Sequence, residues 1–407
     1  MATCAYAVLV AHPSSTPGAE NAAPCTQCGV AVGPNSRVCP GCGALQAARK
    51  TTIATGETLD LGEIRIVVDA RLGEGGMGIV WRGWLFHAPG TPRGSDPPLP
   101  VALKVLAPRA RSRPELRALF LHEAEVMRAL SHPNIVRFHA LVDRGSELAI
   151  AMEWVDGDNL EEVIARHVAR ARLAGLANSG VLPGLPFRRA WHYFQQLLGA
   201  LAGAHAIGLL HRDVKPSNVL VRRDGVAKLS DFGIAQLATD PPATRDPNVL
   251  AAGTGPYMSP EQVLDRPLDG RSDLYSAAIV LYEMLSGRTP FDAGARGEIL
   301  VRQDHVATPP PPIRAFVPQA PPVLDALFAR ALAKDPSQRF ATAIEMGEAF
   351  RTALGLPESP EWHAQAELAF AARSTGAPSA EAARVQRMAT LRLLLSERYK
   401  TQKMEAR

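Results

Sequence analysis

The stretch that decides the fold runs His211-Arg212-Asp213-Val214-Lys215-Pro216-Ser217-Asn218-Val219-Leu220, continues through Asp224-Gly225, and ends Leu229-Ser230-Asp231-Phe232-Gly233. It holds two carboxylates, a lysine and an asparagine: Asp213, Lys215, Asn218 and Asp231. Pro216 removes a backbone donor and fixes φ, so residues 213–218 read as a loop and not as a helix. The apolar runs 218–221 and 227–229 flank Asp224-Gly225, a strong hairpin signal. The two carboxylates therefore sit on either side of a small hairpin and can converge. One group to orient a hydroxyl, one cation for a phosphate and oxygen ligands for a divalent metal are what phosphoryl transfer from a nucleotide requires.

His-Arg-Asp and Asp-Phe-Gly at this separation resemble the catalytic and metal-binding loops of protein kinases, in particular the eukaryotic-type serine/threonine kinases of bacteria. The resemblance implies an α+β bilobal fold over residues 61–352. A five-stranded, β-rich N-lobe with one key helix (61–155) would be followed by a mainly helical C-lobe (156–352). It further implies ATP as phosphoryl donor with Mg²⁺ or Mn²⁺, and serine or threonine hydroxyls of proteins as acceptors. Asp213 would orient the acceptor hydroxyl, Lys215 would offset charge on the transferring group, and Asn218 and Asp231 would hold the metal.

The chain upstream fits that expectation. Leu72-Gly73-Glu74-Gly75-Gly76-Met77-Gly78-Ile79-Val80 carries G-x-G-x-x-G, a weak signal alone and shared with dinucleotide folds. Here it joins a strand from Ile64 to a second strand, Ile79 to Trp84, and not to a helix. Val101-Ala102-Leu103-Lys104 then puts a lysine inside an apolar strand, where it calls for an anion. On the next segment Leu116, Leu119, Phe120, Met127 and Leu130 form one helical stripe, and Glu123 lies on it. Glu125, one position off the stripe, is the ordinary solvated alternative. By resemblance Lys104 pairs with Glu123. Strands are expected around 135–140 and 148–152, and residues 86–99 read as a surface insertion. Nucleotide contacts are implied for Leu72, Gly73, Glu74, Gly75, Gly76, Met77, Gly78, Val80, Ala102, Lys104, Met152, Glu153 and Val155.

Downstream, helical patterns cover 160–170, 187–206 and 269–285, and His205 reads as a packed structural histidine. The segment Asp231 to Glu261 ends Gly253-Thr254-Gly255-Pro256-Tyr257-Met258-Ser259-Pro260-Glu261. Lys215 and Thr254 match the serine/threonine pattern, and the resemblance implies that Thr254 contacts Asp213 and Lys215 in the active form. By resemblance Glu261 pairs with Arg339, Asp273 braces the catalytic loop, and Arg212 belongs to a pocket for a loop phosphate. Thr239 and Thr244 are the candidate acceptors for autophosphorylation, with Asp246 as a fixed charge nearby.

Before this region lie Cys25-x-x-Cys28 and, ten residues on, Cys39-x-x-Cys42, four of the five cysteines. Two thiolate pairs can close a tetrahedral Zn²⁺ site, and 25–43 resembles a zinc ribbon. Residues 1–24 read as a flexible tail and 44–60 as a linker. Residues 353–407 read as a second tail with a helix over 379–400. That helix sits in a stretch, 379–407, with seven Lys/Arg against three Glu. The ribbon and this helix are expected to dock proteins, since few basic and no aromatic residues lie between the thiolates, which argues against nucleic acid. A net charge of +4 is too small to argue otherwise. No apolar run approaches the ~20 residues of a membrane span, the N-terminal stretch lacks the basic start of a secretory signal, and the clustered thiols point to a reducing, cytoplasmic setting. A pseudokinase scaffold would have lost at least one of Lys104, Glu123, Asp213, Asn218 and Asp231, and all five are present.

Overall fold

The element that the sequence hides is a three-residue strand, Thr58–Asp60, at the edge of the main sheet. A computed structural model places the chain's elements in the order β1 (Ala23–Pro24), β2 (Ala31–Val32), β3 (Thr58–Asp60), β4 (Ile64–Gly75), β5 (Gly78–His87) and β6 (Leu99–Leu106). These are followed by α1 (Pro114–Ala129), β7 (Phe138–Asp143), β8 (Leu148–Glu153), β9 (Gly157–Asn159), α2 (Leu160–Leu173) and α3 (Phe187–Ala206). Then come β10 (Leu209–Leu210), β11 (Val219–Arg222), β12 (Ala227–Leu229), β13 (Gln236–Leu237), α4 (Pro260–Val263) and α5 (Gly270–Ser286). The last helices are α6 (Glu298–Ala307), α7 (Val323–Ala331) and α8 (Ala343–Ala353). The structure describes residues 23–24, 31–32, 41–42, 53–75, 78–91, 93–107, 114–144, 147–175, 184–232, 236–237, 255–291, 297–357 and 362. The thiols of Cys25, Cys28 and Cys39, the residues Gly76, Met77, Thr239, Thr244 and Thr254, and the helix expected at 379–400 lie outside them.

Contacts divide the chain into two units, residues 1–117 with 139–154, and residues 118–138 with 155–407. The first is built on a sheet of order β3-β4-β5-β6-β8-β7, six strands where five are expected. Alternation decides its faces. Val101, Leu103 and Val105 point into a core with Leu85, Ala149, Ala151 and Val142, and Ile53, Leu59 and Leu61 close over the same core. The tract expected as a linker at 44–60 is thus structural from Ile53 onward. Gly56 N–H donates to Val68 O at 2.8 Å, Val68 N–H returns to Glu57 O at 2.9 Å, and Arg144 binds Glu57 at 2.9 Å. A strand with one inward residue has no period to read, which is why it escapes a pattern search.

The strand expected at 135–140 begins later, at Phe138, because its first residues are engaged elsewhere. Val136 N–H donates to Leu229 O at 3.0 Å and Leu229 N–H donates to Asn134 O at 2.8 Å, tying this turn to the β12 strand of the second unit. Asn134 Nδ2 also donates to Gln196 on α3 and to Ala227 O, both at 2.9 Å.

In the second unit α3 and α5 form the centre. Phe194, Leu197, Leu198 and Leu201 of α3 are buried, and α5 is apolar on nearly every side, as a fully enclosed helix must be. Asp269 caps the start of α5, and Gly287 ends it in a left-handed conformation at φ 71°. The tail expected from 353 contributes to this core too. Trp362 is buried against Trp191, ring centres 5.6 Å apart, and donates its indole N–H to Glu348. A Cβ on Gly347 would collide with that indole, so the glycine is the floor of its socket.

Candidate active site

The hairpin forms as its Asp-Gly signal requires. Strands β11 and β12 pair Val219 with Leu229 and Val221 with Ala227, and Gly225 takes φ 91° in the turn. Val219 and Val221 are buried, so the hairpin is fixed by its core face. Its two ends carry the loops of interest. Before β11, Pro216–Asn218 makes one 3₁₀ turn, a tighter form of the loop expected there.

That turn folds Asn218 back on Asp213. Asn218 Nδ2 donates to Asp213 O at 2.8 Å and to Asp213 Oδ2 at 3.0 Å, while Lys215 Nζ lies 2.9 Å from Asp213 Oδ2. The Lys215 and Asp213 side chains are only 14% and 13% exposed, so their attraction is little screened by solvent. With its amide donors on Asp213, Asn218 has its Oδ1 as the atom to offer a cation.

At the other end, Ser230 N–H donates to Asn218 O at 2.9 Å and brings Asp231 beside the turn. Asp231 adopts φ 56°, a left-handed conformation that non-glycine residues enter at a cost of about 1–2 kcal/mol. Phe232 is buried with its ring edge-on to His211, 4.6 Å between centres. His211 ties the two ends together. Its Nε2 faces Ser230 O at 2.9 Å and therefore carries the proton, leaving Nδ1 to accept from Asp213 N–H at 3.2 Å.

Beneath the loop lies Asp273 of α5, 1% exposed. It accepts the backbone N–H of His211 at 2.9 Å and of Arg212 at 2.8 Å, and binds His205 Nε2 at 2.7 Å. Burial alone would raise its carboxyl. The hydrogen bonds and charges of His205, His211 and the Arg212 amide overcome that and hold it below the usual carboxylate range. The expected brace is therefore present, and His205 is a structural partner, as the sequence suggests. Arg212 itself stands at φ 66°.

The end of the 231–261 segment is anchored separately. Glu261 meets Arg339 through two hydrogen bonds of 2.7 and 2.8 Å and accepts Ser272 Oγ at 2.5 Å. Burial opposes its ionisation, but Arg339 and Ser272 together depress its carboxyl. The pair expected by resemblance is formed. Tyr257, four residues earlier, donates to Glu283 at 2.7 Å.

In the first unit, residues expected from the sequence to contact a nucleotide share one face of the sheet. Val80 sits opposite Lys104, and Ala102 opposite Met152, across adjacent strands, while the alternate residues face the core. Leu72, Gly73 and Glu74 are exposed at the end of β4, and Gly75 pairs with Gly78 to close the turn. Gly78 has a reason beyond any ligand: a Cβ there would collide with Val105 O of β6. Glu153 ends β8, and Val155 is buried in the second unit. Glu123 is buried at 1% exposure on α1, as its place on the apolar stripe requires, whereas Glu125 is half-buried. Of the thiols, Cys42 is exposed in a turn. One residue escaped the sequence reading: Gln262, whose amide reaches Arg212 O at 2.7 Å. Ser259-x-x-Gln262, a helix-start pattern, was its available signal.

Known proteins resemble this chain over the stretch that carries these loops. Residues 67–350 match the protein kinase domain family model. The chain is 37% identical over 307 residues to the serine/threonine-protein kinase PknJ of Mycobacterium tuberculosis, covering 73% of this chain and 48% of that protein. It is 35% identical over 298 residues to the serine/threonine-protein kinase Pkn1 of Myxococcus xanthus, covering 72% of this chain and 38% of that one. The chain thus spans about half the length, or less, of these curated relatives. The crystal structure of the Mycobacterium tuberculosis PknI kinase domain superposes with a TM-score of 0.54 at 30% identity, covering 74% of this chain and all of that one. No helix among the described residues is long and apolar enough to cross a membrane. On the family model matched over residues 67–350, and with the relatives' identity over most of that stretch, the chain belongs to the protein kinase domain family.

Proposed function

We propose that this chain is a serine/threonine protein kinase that moves the γ-phosphate of ATP to serine or threonine hydroxyls of proteins. The observation that carries the reading is the Asp213–Lys215–Asn218 cluster, with contacts of 2.8 to 3.0 Å in a half-buried loop. The Asp213 carboxylate orients the acceptor hydroxyl, and Lys215 offsets charge on the transferring group. Catalysis of this kind lies in positioning and electrostatics. Asn218 Oδ1 and the Asp231 carboxylate would hold Mg²⁺, whose preference for oxygen donors they meet and which screens phosphate charge when bound. Val80, Ala102, Lys104 and Met152 share the face offered to the nucleotide, with Leu72 to Gly78 at its end. Lys104, Glu123, Glu153, Val155 and Thr254 take the roles that the resemblance assigns them.

The remaining parts of the reading are regulatory. Arg212 receives a phosphate placed on Thr239 or Thr244 by autophosphorylation. Four thiolates, Cys25, Cys28, Cys39 and Cys42, hold a structural Zn²⁺. The Cys-x-x-Cys spacing of the two pairs carries this reading; Ala23 pairs with Val32 and Pro24 with Ala31, on either side of the first pair in sequence. The ribbon and the helix at 379–400 dock proteins in a cytoplasmic setting.

Transfer of labelled γ-phosphate to casein with Mg²⁺ tests the activity. Asp213→Asn and Lys104→Met should abolish it, and equal labelling by wild type and Asp213→Asn would refute the reading. Metal analysis of the purified chain should find one zinc, lost on replacing Cys39 and Cys42 by serine.

A further inference from the structure

The peptide plane that leads into Asp213 is held from both sides. Its N–H donates to His211 Nδ1 at 3.2 Å, and its carbonyl, that of Arg212, accepts from Gln262 Nε2 at 2.7 Å. Gln262 lies in α4, outside the catalytic loop, and the other end of its amide is also engaged. Its Oε1 accepts Ser259 N–H at 2.9 Å, and Ser259 Oγ accepts Gln262 N–H at 3.4 Å, closing a capping box. The helix that carries it does not drift, because the adjacent Glu261 is locked to Arg339 and Ser272.

This arrangement clamps a strained residue. Arg212 stands at φ 66°, its N–H held by Asp273 and its carbonyl by Gln262. Released at the carbonyl, the residue can relax toward negative φ, and the plane that sets the direction of the Asp213 side chain turns with it. Positioning catalysis tolerates errors of about 0.5 Å in such groups.

We propose that Gln262 is a positioning residue for phosphoryl transfer. From the end of the 231–261 segment it fixes the Arg212 carbonyl and, through it, the direction in which Asp213 presents its carboxylate. The inference rests on Asp213 being the hydroxyl-orienting group.

Glutamate at 262 separates the two uses of the amide. It has the same shape and keeps the acceptor for Ser259 N–H, but it cannot donate to Arg212 O and sets a negative charge against that carbonyl. Methionine at 262 removes the donor without adding charge. The full chain is assayed with casein and Mg·ATP, with thermal unfolding and ATP affinity measured in parallel. Gln262→Glu and Gln262→Met should each lower kcat by about tenfold, the effect of losing one hydrogen bond that counts at the transition state. KM for ATP should stay within about twofold. Ser259→Ala, which weakens the cap and spares the Arg212 contact, should lower the unfolding temperature and leave kcat near wild type. Unchanged kcat in either folded Gln262 variant overturns the inference. So does a fall in kcat that is matched by a rise in KM, or that Ser259→Ala reproduces. If Asp213→Asn keeps wild-type turnover, the reading of Asp213 has failed instead, and that control tells the two failures apart.

Discussion

Asp273 Oδ1 accepts the backbone N–H of Arg212 at 2.8 Å, so a buried carboxylate holds the loop at a residue with φ 66°. Asp273→Asn keeps the shape but loses the charge that strengthens each contact. It should destabilise the protein by about 2–4 kcal/mol, since hydrogen bonds to charged groups are worth more than neutral ones. Because its carboxyl is depressed in the folded state, Asp273 adds stability above the ordinary carboxylate range, and loses it as pH falls through its folded value. Denaturant melts of both proteins from neutral to acid pH should converge at the acid end. A difference that stays constant with pH would exclude this role.

Lys215 and Asp213 should separate chemistry from binding. Lys215→Met and Asp213→Asn are expected to lower kcat by about 10²–10⁴ with little change in ATP affinity. Steady-state phosphate transfer, alongside nucleotide titration, reads both. Weakened ATP binding with unaltered kcat would move these residues out of the chemical step.

Leu59 is fully buried in the sheet's core although it lies in the tract expected to be a linker. Leu59→Ala should cost about 2–5 kcal/mol, the range for emptying a core leucine site. Urea unfolding measures it. A change within about 0.5 kcal/mol, as at an ordinary surface site, would return this tract to linker status.

Trp362 makes the corresponding claim at the other end. Trp362→Ala should destabilise by about 3–5 kcal/mol. Gly347→Ala, which puts a methyl group against the indole, should destabilise in the wild type and much less in the Trp362→Ala background. Additive losses in the double variant would show that the two do not share a socket.

Glu283 behaves oppositely to Asp273. Burial, with Glu161 nearby and against the hydrogen bond from Tyr257, pushes its carboxyl from 4.5 up to about 7. The folded state therefore binds a proton that the unfolded state has lost, and stability falls as pH rises between these two values. In Glu283→Gln that loss disappears. The melting temperature of the variant relative to wild type should climb from pH 4 to 7 and then level, whereas a pH-independent offset would rule the effect out.

What could be read in advance follows from periodicity and turn chemistry. Asp224-Gly225 announced its hairpin, and Glu123 announced its burial by standing between Phe120 and Met127. Asp273, Arg339 and Glu261 could be paired only through resemblance, because nothing in a sequence says that residues far apart will meet. Gln262 sat in a capping pattern whose second hydrogen bond leads outside its own helix, and no local rule reports such a bond. Leu59 and Trp362 were missed for related reasons: Leu59 and Leu61 alternate over too few residues to establish a period, and Trp362 has no large apolar residue within four positions on either side.

The three-residue strand β3 has a consequence for self-association. It pairs with β4, which is twelve residues long, and so among the described residues the sheet ends on a short edge flanked by the Glu57–Arg144 ion pair. Short, charged edges offer little for another chain to add to. Were residues 53–60 stripped away, β4 would become the border, with a long row of backbone donors and acceptors open to a second copy. Among the described residues, this small strand is all that the sheet offers a second chain along that edge.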